Sequence, residues 1–270
     1  RVAAKIDRVV VLEDAFAQAE EPVADLLRTL LEFISDVLPG MAHGRIAPDG
    51  FDPWREAFRI VQAYETWQTF GAFITRHKPN LGPGVKERMQ FASTVTATQA
   101  NASRAVVNKA RDHIRQVAVP GTVLALPTAP SIAPKIELSG AELEEFRTRV
   151  MRLTCTSGIS GLPQMNVPGG TINGCPIGLS FIGWAGGDEA LLDLACELSR
   201  HCGMAAWDIL CFELGDAAGS GLFEMSASQF PNSKPIAELT ARMYLDTGAV
   251  RFMADKPFIF TSGWASPVYN

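Results

Sequence analysis

No stretch of the 270 residues holds an apolar run near the ~18 residues a membrane span needs, and no basic-then-apolar leader opens the chain. Cysteine is scarce and unpatterned. Cys155, Cys175, Cys196, Cys202 and Cys211 form no C-x-x-C pair and are odd in number. This argues against a disulfide framework and for reduced, buried thiols in a cytosolic protein. The histidines, His43, His77, His113 and His201, stand singly, with no H-E-x-x-H and no ligand spacing. There is no G-x-x-x-x-G-K-[ST] phosphate loop, so nucleotide hydrolysis has no support, and no S-x-x-K. Ser157-Gly158-Ile159-Ser160-Gly161 invites a nucleophile, but it is not G-x-S-x-G, the strained elbow that exposes a serine. It reads instead as a Gly-rich connection into a strand. Basic residues are outnumbered, 24 Lys and Arg against 29 Asp and Glu, for a formal net charge of −5. That disfavours nucleic acid or an anionic membrane as the main partner. The chain starts at Arg1 rather than Met, as expected of a fragment.

What is present is ordinary for a globular protein with a sizeable core: 47% hydrophobic and 20% charged residues. The organising stretch runs from Val123 to Cys202. Val123 to Leu126 is wholly apolar and stopped by Pro127, which suits a strand buried on both faces. Pro127, Pro130 and Pro134 then force a loop. Met165 to Val167 and Ile177 to Ile182 read as two further strands, joined through Gly169, Gly170 and the hairpin dipeptide Asn173-Gly174. Asp188-Glu189 opens a helix with carboxylates at its positive end.

Upstream, Val9 to Leu12 reads as a buried strand. Glu21 to Leu38 reads as a helix with Val23, Leu26, Leu27, Leu30, Leu31 and Ile34 on one face. Pro53 to Arg76 is an amphipathic helix whose Trp54, Phe58, Val61, Tyr64 and Trp67 recur at core spacing. Glu87 to Val117 reads as one long Ala-rich helix, with Arg104, Lys109, Arg111 and Arg115 as a solvated face. Asp14 reads as a loop or capping acid, with a substrate role kept as an equal alternative.

The ordered segments LPTAP, SGLPQMNVP and GCPIGLSFIG, followed by a D-E-A-L-L helix, resemble the amidase signature family over roughly Val9 to His201. The Lys78-Pro79-Asn80-Leu81-Gly82-Pro83-Gly84 loop resembles a branch acting on arylacetamides such as indole-3-acetamide. The resemblance implies an α/β fold: the C-terminal half of a mixed sheet flanked by helices. It implies carboxamide hydrolysis by a Ser-Ser-Lys mechanism whose catalytic residues lie upstream of this chain, leaving no catalytic residue here and requiring no cofactor or metal. By position in the family, the loops at Thr128-Ala129 and from Met151 to Thr156 would shape the acyl pocket, with Thr128, Met151, Cys155 and Thr156 as the substrate-binding candidates. Met151 stands where the glutamine-using, tRNA-dependent branch has an aspartate for its substrate's ammonium. An apolar residue cannot compensate a buried ammonium, so an uncharged or aromatic amide is expected. The implied partners are a small-molecule amide and no nucleic acid or membrane. A homodimer is left open, and the location is cytoplasmic.

After His201 the resemblance stops. Residues 202–224 read as a Gly/Ala/Ser-rich linker. Residues 225–270 resemble the N-terminus of orotate phosphoribosyltransferase, through a helix at KPIAELTARMYL and the PFIFTSGWASPVY loop, with Thr261 where some members carry a donor-contacting lysine. A phosphoribosyltransferase fragment of pyrimidine synthesis, or a non-catalytic partner, is therefore the alternative function. The tail is expected to stay apart from the amidase core.

Overall fold

The structure, a computed structural model, describes residues 4–213 except 83 and 136, with side-chain surroundings through Cys202, and only four two-residue strands beyond. The chain divides into two compact units, Arg1–Leu214 and Gly215–Asn270.

The first unit is built on a five-stranded sheet of order β2-β1-β3-β5-β4. Its strands are β1 (Arg8–Leu12), β2 (Met41–Gly44), β3 (Thr122–Pro127), β4 (Gln164–Ile172) and β5 (Cys175–Ile182). β1 runs parallel to both β2 and β3, while β5 is antiparallel to β3 and β4, so the sheet is mixed. The expected α/β class, a mixed sheet flanked by helices, is what forms. β3 is buried at every position, as a central strand covered on both faces must be. The β4–β5 hairpin turns at Asn173 and Gly174, whose φ values of 52° and 74° are the left-handed pair of a two-residue I′-type turn.

Alternation of side chains along the strands splits the core into two layers. Val9, Val11, Val123, Ala125, Leu179 and Phe181 face one way. They meet α2 (Glu21–Phe33) through Leu27 and Leu30, and α7 (Asp188–Glu213) through Leu191, Leu194 and Leu198. Val10, Leu12, Leu124, Leu126 and Ile182 face the other way. There they meet Trp54 and Ala57 of α3 (Asp52–His77), Val107 and Ile114 of α5 (Ala97–Val117), and Leu153 and Ile159 of α6 (Gly140–Ser160). A short turn of helix, α1 (Glu13–Phe16), and α4 (Val85–Thr94) complete the unit.

Several elements differ from expectation. α2 stops at Phe33 instead of reaching Leu38, and β2 had no signal because M-A-H-G is neither alternating nor β-branched. The expected helix from Glu87 to Val117 is two. Val95 is extended, and Thr96 caps α5 by accepting from Gln99 N while Gln99 Oε1 accepts from Thr96 N. This reciprocal box is a stronger local signal than the alanines around it. Residues 151–156, expected as a loop, and the S-G-I-S-G segment, expected as a connection, are both inside α6. That helix starts at a Ser139/Glu142 capping box and ends on Gly161. α7 continues to Glu213, well into the segment expected as a linker.

In the second unit, Arg251–Phe252 pairs antiparallel with Val268–Tyr269, and Phe258–Ile259 with Ala265–Ser266. The expected helix at KPIAELTARMYL and position Thr261 lie outside the described residues.

Candidate functional site

The three motif segments, the first parted from the second by residues 131–159, lead into the adjacent strands β3, β5 and β4. Where β3 ends, Thr128 is tied down twice. Its backbone N donates to Gly178 O at 3.0 Å. Its hydroxyl lies 2.5 Å from Asn166 Oδ1 and 2.7 Å from Ser180 Oγ. Gln164 Nε2 donates to the same Ser180 oxygen at 2.9 Å. Asn166 pairs with Ser180 across the hairpin, so alternation places Gln164, Asn166, Gly178 and Ser180 on one face. Gly178 is needed there: a Cβ would sit 2.1 Å from Asn166 Oδ1 and 3.0 Å from Thr128 Oγ1. Ser180 is fully buried, while Asn166 is exposed and Thr128 and Gln164 are half-buried. The cluster is thus a fixed polar floor with an open side.

The other candidates from sequence lie on α6, not with Thr128 in this cluster. Met151 is half-buried. Cys155 is fully buried in the layer with Leu153 and Ile159, its Sγ directed at Arg152 O, and burial pushes its thiol up to about 12. Such a thiol is not a nucleophile at neutral pH. Thr156 is fully buried, and its Oγ1 has no hydrogen-bond partner among the described residues.

The remaining polar residues resolve into structure. Ser160 Oγ donates to Thr156 O at 2.8 Å inside the helix. Arg111 and Arg115 are not simply a solvated face: their Nε atoms donate to Ile159 O and Ser160 O, both at 2.8 Å. They satisfy the last carbonyls of α6, where the helix dipole favours cations. Asp14 is 8% exposed and accepts from Ile46 N at 2.9 Å and Ala47 N at 2.7 Å, so it fastens the loop after β2. Of the aromatic stripe, Trp54 and Val61 enter the core, Phe58 packs against it, and Tyr64 lies under Arg104. No group of three or more His, Cys, Asp or Glu positioned for a metal occurs among the described residues. A cavity of about 280 Å³ is lined by Leu30 and Ile34 of α2, Asn166, Val167 and Pro168 of β4, and Leu198 and Cys202 of α7, so it shares Asn166 with the polar cluster.

Over 190 residues the chain is 30% identical to Amidase 1 of Oryza sativa subsp. japonica, covering 63% of this chain and 41% of that protein. The chloroplastic outer envelope protein 64 of Arabidopsis thaliana is 31% identical over 135 residues, covering 50% of this chain and 23% of its own length. The crystal structure of a bacterial aryl acylamidase of the amidase signature enzymes superposes with a TM-score of 0.60 at 15% identity, covering 80% of this chain and 47% of that one. The chain is similar in sequence to amidases, and its fold is that of part of the amidase signature enzymes. No family model matches it. It spans under half the length of the curated relatives it matches.

Thr128 was a candidate from the sequence, whereas its three hydrogen-bond partners were not. Asn166 and Ser180 were visible only as strand residues. The available signal was their polarity on the face that should be apolar: Q-x-N in one strand and S among G-L-S-F-I in the next.

Proposed function

We propose that this chain is the substrate-side part of an amidase that hydrolyses an uncharged or aromatic carboxamide to acid and ammonia. The supporting observation is the convergence of the family's three motif segments on one sheet, with Thr128, Asn166, Ser180 and Gln164 held as a polar floor at its edge. A serine nucleophile, a second serine and a neutral lysine would come from residues outside this chain. The reading needs no metal or organic cofactor. Ser160 of α6 does not compete for that role, because it is buried and spent on a backbone carbonyl. Met151 gives the acyl group an apolar neighbour in this proposal, which also keeps the cytoplasm as the location. Among the described residues, no helix is long and apolar enough to cross a membrane.

The test is a chimera. The catalytic segment of an amidase-signature relative, fused upstream of Arg1, should turn over benzamide and indole-3-acetamide, whereas the 270-residue chain alone should not. In that chimera Met151→Asp should raise KM for arylacetamides, since it puts a charge where an apolar group binds. A chimera that folds yet hydrolyses neither amide overturns the proposal. So does turnover by the isolated chain that Ser157→Ala or Ser160→Ala abolishes, because the α6 serines would then be catalytic.

A resemblance to orotate phosphoribosyltransferase in residues 225–270 favours a second function for the tail only. That segment lies almost wholly outside the described residues.

A further inference from the structure

The hydrogen-bond cluster at the end of β3 has a forced direction. Thr128 has one hydroxyl hydrogen, and it goes to Asn166 Oδ1, which can only accept. The contact between Thr128 and Ser180 must then be donated by Ser180, and Ser180 in turn accepts from Gln164 Nε2. The order runs Gln164 N–H, Ser180 O–H, Thr128 O–H, Asn166 C=O. Fixing both ends leaves two groups unused within the cluster: the NH₂ of exposed Asn166, a pure donor, and the carbonyl of half-buried Gln164, a pure acceptor. Neither makes a hydrogen bond with another described residue. The two residues lie two apart on the same face of β4, a repeat of about 7 Å. A carboxamide is about 2.2 Å from O to N by its bond lengths. With a hydrogen bond of about 2.9 Å at each end, it bridges that repeat.

We infer that Asn166 and Gln164 form a carboxamide-reading pair, Asn166 donating to the substrate's carbonyl oxygen and Gln164 accepting from its nitrogen, with Ser180 and Thr128 as positioning residues. The inference rests on the amide substrate proposed above and names which atoms of this chain recognise it. It also accounts for Gly178, whose missing side chain leaves room for both Asn166 and Thr128.

Benzamide and N,N-dimethylbenzamide, which share the ring and carbonyl but differ in N–H donors, separate the two ends of the pair. In ligand-observed NMR titrations of the full chain, benzamide should bind about five-fold more tightly, the size of one net hydrogen bond. Asn166→Asp keeps the acceptor for Thr128 but has no donor, and should weaken both ligands by a similar factor. Gln164→Met should erase the preference between them. Ser180→Ala should shrink it, a change that lost stability alone would not produce. The inference is overturned if benzamide shows no saturable binding, if the wild-type chain binds both ligands equally, or if folded Asn166→Asp binds benzamide as the wild type does. These are binding measurements, so they separate from the hydrolysis test. A chimera without turnover, beside binding that depends on Asn166, sinks the amidase function but not the recognition pair. A chimera that hydrolyses benzamide with KM unmoved by Asn166→Asp sinks the pair alone.

Discussion

The two faces of the sheet are held by different physics. Against α2 and α7 the buried contacts are aliphatic and aromatic, with Leu27, Leu30, Phe181 and Trp184 almost fully enclosed. The layer against α3, α5 and α6 has an apolar centre too, but fixed hydrogen bonds fasten its margins. Asp14 holds the loop after β2, Arg111 and Arg115 hold the end of α6, and Thr128, Asn166, Ser180 and Gln164 hold the end of β3. Hydrophobic packing is non-directional and tolerates volume-conserving exchange. Hydrogen bonding fixes direction and is costly to leave half made. The face that needs atoms in set positions is thus the one carrying the polar margin.

Substitutions at four positions test that contrast, taken from the largest effect down. Phe181→Ala on the first face should cost about 3–5 kcal/mol in urea unfolding, while Phe181→Leu should cost much less. Equal losses would mean that this face depends on shape as strictly as the other. Asp14→Ala strands two buried N–H groups, at Ile46 and Ala47, and should cost about 2–3 kcal/mol. Asp14→Asn, which keeps an acceptor, should recover part of it, and a loss identical to that of alanine would deny the directional role. Arg115→Ala and Arg111→Ala should each lower stability by about 0.5–1.5 kcal/mol by freeing a terminal carbonyl of α6. Lysine at position 115, a poorer fit to that geometry, should rescue only partly.

The smallest effect is electrostatic and lies at the β2 edge. Glu13 is held at a pKa of about 2, against an ordinary 4.5, chiefly by its hydrogen bond to Arg28 and further by His43. A depressed carboxylate stabilises the fold above its unfolded pKa. That stability should fade as pH falls from about 4.5 toward 2. Glu13 is 36% exposed, so screening keeps the contribution under about 1 kcal/mol. Glu13→Gln should flatten the acid limb of the stability curve by that amount, and an unchanged limb would assign it to other carboxylates.

Much of the frame was legible in the residues. β1 and β3 announce themselves as continuous apolar runs, α2 by its leucine stripe, and the β4–β5 turn by Asn173-Gly174. Each of these signals is local: periodicity, or a dihedral preference of one or two residues. The helical state of S-G-I-S-G was not legible. Its glycines and serines favour a turn by propensity. The backbone is held helical by Ser139 at the far end and by two arginines about forty-five residues upstream.

The candidate site divides the same way. The sequence by itself carried the amidase-like motifs and, through that resemblance, the α/β sheet flanked by helices and Thr128 as a candidate, because those depend on pattern and order along the chain. Only the tertiary structure decided that Cys155 is an inert core thiol, that Asp14 is a fastener, and that Thr128 acts with Asn166, Ser180 and Gln164. Those roles depend on which atoms arrive within 3 Å of one another across β3, β5 and β4. Side-chain hydrogen bonds between residues thirty-eight and fifty-two positions apart leave no periodic trace for a sequence to show.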